Sequence, residues 1–70
     1  MRRERVDSSS LASVGYDAVT STLEVEFRHG GVYRYFGVPA RVHREFLAAD
    51  SMGAYLTQTI KPTYPFERIG

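Results

Sequence analysis

The segment Tyr33-Arg34-Tyr35 combines two aromatic rings with a guanidinium group, a combination that suits the binding of unpaired bases. If the segment is a strand, both rings project from the same face, because side chains alternate along a strand. Aromatic stacking contributes about 1–3 kcal/mol per base, while basic groups hold the phosphates. The candidate RNA-binding set therefore contains this tyrosine pair and the nearby basic residues: Tyr33, Tyr35, Arg28, Arg34 and Lys61.

The alternative role for the two tyrosines is to fill the core, with their hydroxyls at its rim. The turn at His29-Gly30-Gly31 leaves two hairpin registers open. A two-residue Gly-Gly loop pairs Arg28 with Tyr33 and places both tyrosines on the charged face of the sheet. A three-residue loop with a glycine bulge places them beside Val25 and Phe27. We favour the three-residue loop, because two tyrosines contribute more to a small domain as core residues.

The residue types that usually catalyse reactions or bind metals form no recognisable pattern. The chain has two histidines, His29 and His43, and no cysteine, so the ligand spacing of a metal site is missing. The serines of Ser8-Ser9-Ser10 lack the strand-to-helix context of a catalytic serine and indicate a turn. The sequence therefore predicts no enzymatic activity, no metal and no cofactor.

Three strands are predicted to carry the tyrosine pair. The clearest is Thr22 to Arg28, in which apolar and charged residues alternate as they do in a half-buried antiparallel strand. The segment from Leu11 to Tyr16 gives a weaker strand signal. The segment Val32 to Phe36 is rich in aromatic and β-preferring residues and returns after the glycine turn.

Two helices are predicted after the strands. Pro39 suits the start of the first helix, and the apolar residues Val42, Phe46 and Ala49 follow at helical spacing. Ser51 is the predicted cap of the second helix, which ends before Pro62. The predicted fold is therefore of the α+β class, a three-stranded antiparallel β-meander followed by two short helices packed on one face of the sheet.

Length and charge set the domain organisation. The 70 residues fit one domain at residues 10–70, preceded by a flexible, basic and polar arm at residues 1–9. The net charge of +1 means that any nucleic-acid binding must come from a local basic patch. The basic N-terminus is not followed by an apolar stretch, so we expect no signal peptide, no membrane span and a cytoplasmic location.

Several segments along nearly the whole chain resemble the KTSC domain, a short module named for the carboxy-terminal extension of some lysyl-tRNA synthetases and also found as a free-standing bacterial protein. The order and spacing of these segments make the resemblance fairly specific. They are Val6-Asp7-Ser8-Ser9, Gly15-Tyr16-Asp17, Leu23-x-Val25-x-Phe27, Tyr33-x-Tyr35, Val38-Pro39, Ser51-x-Gly53, Ile60-Lys61 and Tyr64.

The resemblance implies no enzymatic activity, and it suggests RNA binding through the family's attachment to a tRNA-handling enzyme. Carried onto this chain, that suggestion falls on Tyr33, Tyr35 and the nearby basic residues. Two hypotheses follow for a non-catalytic binding module. One is the binding of tRNA or single-stranded RNA. The other is a protein-interaction or self-associating domain that uses the sheet face or a strand edge.

Overall fold

The central element of the computed structural model, which describes residues 1–70, is an antiparallel sheet of five strands in chain order. The strands are β1 (Arg3–Arg5), β2 (Leu11–Asp17), β3 (Thr22–Phe27), β4 (Val32–Tyr35) and β5 (Phe66–Arg68). The α+β class is confirmed. The prediction of a three-stranded meander is wrong, because a further strand pairs at each edge of the sheet.

Neither additional strand has the alternation that marks a half-buried strand. All residues of β1 and β5 are exposed, so they contribute backbone pairing at the edges and little core. β1 lies inside the segment predicted as the arm, where Arg3 pairs with Gly15. Gly15 permits this approach, since a Cβ at its position would lie only 2.6 Å from the backbone oxygen of Arg2.

Two helices follow β4. Helix α1 (Ala40–Ala48) begins directly after Pro39, as predicted. Helix α2 (Met52–Tyr55) continues without a break as a π-helical turn (Leu56–Ile60). The predicted cap is confirmed, because the Ser51 hydroxyl accepts a hydrogen bond of 3.2 Å from the Ala54 backbone N–H. Neither helix has the length and apolar character that spanning a membrane requires.

The β3–β4 hairpin has the favoured three-residue loop and places both tyrosines on the favoured face, but their partners on β3 lie two residues earlier than predicted, because the loop begins at Arg28 instead of His29. Val25 pairs with Tyr33 and Leu23 pairs with Tyr35. The Phe27 N–H donates to the Gly31 carbonyl at 3.0 Å, which leaves a three-residue loop from Arg28 to Gly30. Gly30 has φ +106°, a conformation that glycine adopts without steric cost. Both tyrosines therefore lie on the apolar face of the sheet.

The core lies between this face and the helices. Its sheet side includes Leu23 and Val25, and its helical side includes Val42 and Phe46 of α1 and the residues Leu56 and Ile60 of the π-helical turn, all at most 4% exposed. Gly53 lets the second helix approach the N-terminal segment, since a Cβ there would lie 3.0 Å from the Ser10 Oγ. The opposite face of the sheet is polar.

Candidate functional site

Tyr35 belongs to the core. Its side chain is 2% exposed, and its ring lies 5.4 Å from the ring of Phe66. Burial, and to a lesser extent the neighbouring Tyr33, raises the pKa of the Tyr35 phenol. Tyr35 thus contributes to packing beneath the surface and offers little ring area to a ligand.

Tyr33 is half-buried, and its ring is surrounded by other aromatic rings. The Phe27 ring meets it edge-on at 5.5 Å and 88°, and the Phe66 ring lies at 5.9 Å. The Arg68 guanidinium lies over the Tyr33 ring, with its Cζ 5.9 Å from the ring centroid, a cation–π contact. Tyr33 therefore combines an aromatic surface with a positive charge, as the sequence suggested, although the cation is a different one.

A groove of about 350 Å³ opens in front of these rings, between strands β3 to β5 and the second helix. We call it the aromatic groove. It brings together three of the predicted site residues, Tyr33, Tyr35 and Lys61. Its other lining residues are Phe27, His29, Leu56, Thr57 and Phe66. Side-by-side rings with a lysine at the edge can hold a flat ring and neutralise an attached anionic group.

Arg34 does not reach this groove. It projects from the polar face of the sheet, where its Nε donates to the Glu24 carboxylate at 2.9 Å. The Arg3 Nη1 donates to the other oxygen of the same carboxylate at 2.8 Å. Period-two alternation explains the separation, because Arg34 lies between Tyr33 and Tyr35 on the strand and must point the other way.

Arg28 lies in the hairpin loop, outside the aromatic groove. Its Nε donates to the backbone oxygen of Ser8, which ties the loop to the N-terminal segment. Its side chain lines the next groove along the surface together with Phe27 and His29. Of the five predicted residues, the structure therefore gathers three in one groove, places Arg28 beside it and places Arg34 on the opposite face.

The rings of Phe27, His29 and Phe66 and the cation of Arg68 were not predicted as part of a site. Phe27 and His29 were assigned to a strand and a turn, and Phe66 and Arg68 lie in the aromatic tail that follows the second predicted helix. The tail's aromatic content was the available signal, but its pairing with β4, in which Tyr35 faces Phe66, depends on long-range contacts. His29 stacks on Phe27 with ring centroids 5.5 Å apart, and this contact brings it into the wall.

The second histidine lies elsewhere. His43 of α1 stacks on Tyr16 of β2, with ring centroids 4.4 Å apart and an interplanar angle of 12°. The Tyr16 hydroxyl donates to the Val38 backbone oxygen at 2.6 Å, which fixes the ring that His43 covers. Burial, followed by the nearby Arg44 charge, lowers the pKa of His43. The pair closes one end of the core, away from the aromatic groove.

A family model and a solved structure match this chain closely. The model described as the KTSC domain matches residues 7–64. The crystal structure of a KTSC domain protein from Yersinia pestis superposes with a TM-score of 0.93 at 40% sequence identity, covering 99% of this chain and 97% of that one.

Sequence relatives are of two kinds. An uncharacterized protein of Stutzerimonas stutzeri is 47% identical over 64 residues, covering 91% of this chain and 90% of its own length. A lysine–tRNA ligase of Trichormus variabilis is 36% identical over 63 residues, which cover 90% of this chain and only 11% of the ligase. The same module thus occurs both nearly alone and as a small part of a large protein.

Proposed function

The chain belongs to the KTSC domain family, and on that premise we propose that it is a small non-catalytic module that binds single-stranded RNA in the aromatic groove. One observation carries the proposal. Phe27, Tyr33 and Phe66 present their rings around an open groove that has Lys61 in its wall. Aromatic surfaces beside cations bind unpaired bases with little sequence preference, because every base has a flat face.

The charges of the groove support an anionic ligand. Neither Asp nor Glu contributes to its wall, whereas Lys61 does and Arg68 lies over the Tyr33 ring. The net charge of the whole chain is only +1, so the attraction for a phosphate would come from these two local cations, which no carboxylate in the wall offsets. The lysine–tRNA ligase relative adds a tRNA-handling context, although the similarity covers a small part of that protein.

The proposal is tested by the affinity of the protein for a fluorescently labelled single-stranded RNA, measured by anisotropy at low salt. Replacing Phe66 by Ala removes a groove wall and is expected to weaken binding at least fivefold, since one stacked base contributes about 1–3 kcal/mol. Phe36→Ala is the matched control, because Phe36 is similarly exposed (36% against 45%) and lies outside the groove. Equal losses in both variants, or no binding by the native chain, would rule the groove out.

The alternative function is protein binding at the β5 edge. The exposed apolar residues Phe66 and Ile69 lie in and beside this edge strand, whose outer backbone groups are free to pair with an incoming strand. Self-association is one form of this alternative. Sedimentation equilibrium tests that form directly, and a monomer at all concentrations would exclude it.

A further inference from the structure

Three grooves adjoin one another through shared lining residues. The aromatic groove shares Phe27, His29 and Thr57 with a second groove of about 350 Å³, which also includes Ser10 and Arg28. A third groove of about 420 Å³ begins at Arg28 and continues between Arg5 and Asp7. The side chains that two grooves share make them consecutive segments of one path, which we call the track. It runs from Lys61, past the hairpin loop, to β1.

Basic side chains follow this track at intervals. Lys61 lies in the first groove, Arg28 joins the second to the third, and Arg5 lines the third. These three residues form no salt bridge, in contrast to Arg3, Arg34 and Arg41, each of which is paired with a glutamate. Asp7, at the far end, is the one carboxylate in the walls of the track.

The positions of these cations are set by the fold. The bond from the Arg28 Nε to the Ser8 backbone oxygen holds the guanidinium between the hairpin loop and the N-terminal segment. The backbone of Arg5 is held by its pairing with Ser13 across the β1–β2 ladder, and its exposed side chain extends from that position. The Arg28 guanidinium and the Arg5 backbone thus have set places relative to the rings, and phosphates along a chain can meet the two cations in turn.

We propose that the track holds several consecutive nucleotides of one unpaired RNA strand, with a base in the aromatic groove and the following phosphates at Arg28 and Arg5. This inference rests on the proposed function of the aromatic groove. It adds that the ligand is several nucleotides long and that it follows the track from Lys61 to β1. A duplex does not fit this description, because its bases stack on one another and leave no ring face for Tyr33 or Phe66. The ligand class is therefore a flexible single strand.

The test compares oligouridylates of one, two, four and six nucleotides by isothermal titration calorimetry and NMR. Affinity is expected to rise with length until the track is filled and then to level off. Arg28→Gln and Arg5→Gln are each expected to weaken hexanucleotide binding at least threefold and to leave mononucleotide binding unchanged. Each is also expected to reduce the slope of log K against log salt by about 0.7, the value for one phosphate contact on a single strand.

Arg44→Gln is the matched control, because Arg44 is an exposed arginine on α1 that lies outside the three grooves. It is expected to change neither the affinity nor the salt slope. If mononucleotides bind but affinity does not rise with length, or if Arg44→Gln causes the same loss as Arg28→Gln, the track is wrong and the aromatic groove remains a base site. If no oligonucleotide binds, the track and the proposed function fail together.

Discussion

Tyr33 and Tyr35 stand two positions apart on β4 and have different roles. Both project toward the helices, but Tyr35 is 2% exposed, whereas Tyr33 is half-buried in the groove wall. The difference follows from their places along the strand, because both pair with fully buried residues of β3 but Tyr33 lies nearer to the hairpin loop. Tyr35 supports the aromatic groove from the core, and Tyr33 forms part of the groove wall.

This difference predicts separate effects of two truncations. Tyr35→Ala is expected to lower the free energy of unfolding by about 3–5 kcal/mol, the usual cost of removing a large buried aromatic ring. Tyr33→Ala is expected to cost clearly less stability and to weaken RNA binding, because part of its ring already meets solvent. Urea denaturation measures the first effect. An equal loss of stability in the two variants would contradict the assignment of Tyr33 to the groove.

His43 gives the stability of the chain a dependence on pH. Its pKa is lowered in the folded state, by burial first and by the Arg44 charge second. The unfolded chain therefore takes up a proton near the ordinary value of about 6.5, before the folded chain does, and stability must fall as the pH drops through that value. Above it, the contribution of the neutral imidazole is fully present.

The corresponding measurement is the free energy of unfolding at several pH values for the native chain and for His43→Gln. His29 is present in both proteins, so the difference between them isolates His43. The native chain is expected to lose more stability than the variant as the pH falls below about 6.5. Parallel curves for the two proteins would show that His43 titrates normally in the folded state.

Between strands, the main polar connection is the Glu24 carboxylate. It lies on β3, is 5% exposed, and forms one salt bridge with Arg3 of β1 and another with Arg34 of β4. Glu24→Ala is expected to lower the free energy of unfolding by about 1.5–3 kcal/mol, the range for hydrogen bonds to charged groups. The two guanidinium groups are 32% and 40% exposed, so water can take over their bonds and keep the loss moderate.

The matched control for Glu24 is Glu45, whose salt bridge with Arg41 is exposed on α1. Glu45→Ala is expected to cost less than about 1 kcal/mol, because a solvent-exposed ion pair contributes little. Thermal unfolding of both variants checks the comparison. A larger loss for Glu45→Ala would mean that the connection on the sheet contributes less to stability than its burial implies.

The elements that could be predicted from the sequence are those whose pattern is local. The alternation of Leu23, Val25 and Phe27 predicts β3, and Ser51 marks the start of the second helix. β1 and β5 could not be predicted, because an edge strand with no buried side chain needs no alternation. The same limit applies to the site. The tyrosine pair was visible in the sequence, but Phe66 and Arg68 reach it only through the β4–β5 pairing.

In the whole molecule, the two faces of the sheet differ in charge. The centre of the polar face carries paired charges around Glu24, while the aromatic groove on the opposite face carries exposed rings and the unpaired Lys61. The unpaired Arg28 and Arg5 lie at the hairpin loop and at the β1 edge. A net charge of +1 therefore conceals a local basic surface. Because this surface depends on the pairing of β1 and β5 at opposite edges of the sheet, we expect RNA binding to require the intact fold.

RNA binding in the aromatic groove is tested most directly by a two-dimensional amide NMR titration of the isotope-labelled chain with a short single-stranded RNA at low salt. We expect shifts concentrated at Phe27, His29, Tyr33 and Phe66, extending toward Arg28, and reversed by added salt. The polar face around Glu24 serves as the internal control and is expected to remain unchanged. An absence of shifts at high RNA concentration, or shifts confined to the Glu24 face, would contradict RNA binding in the aromatic groove.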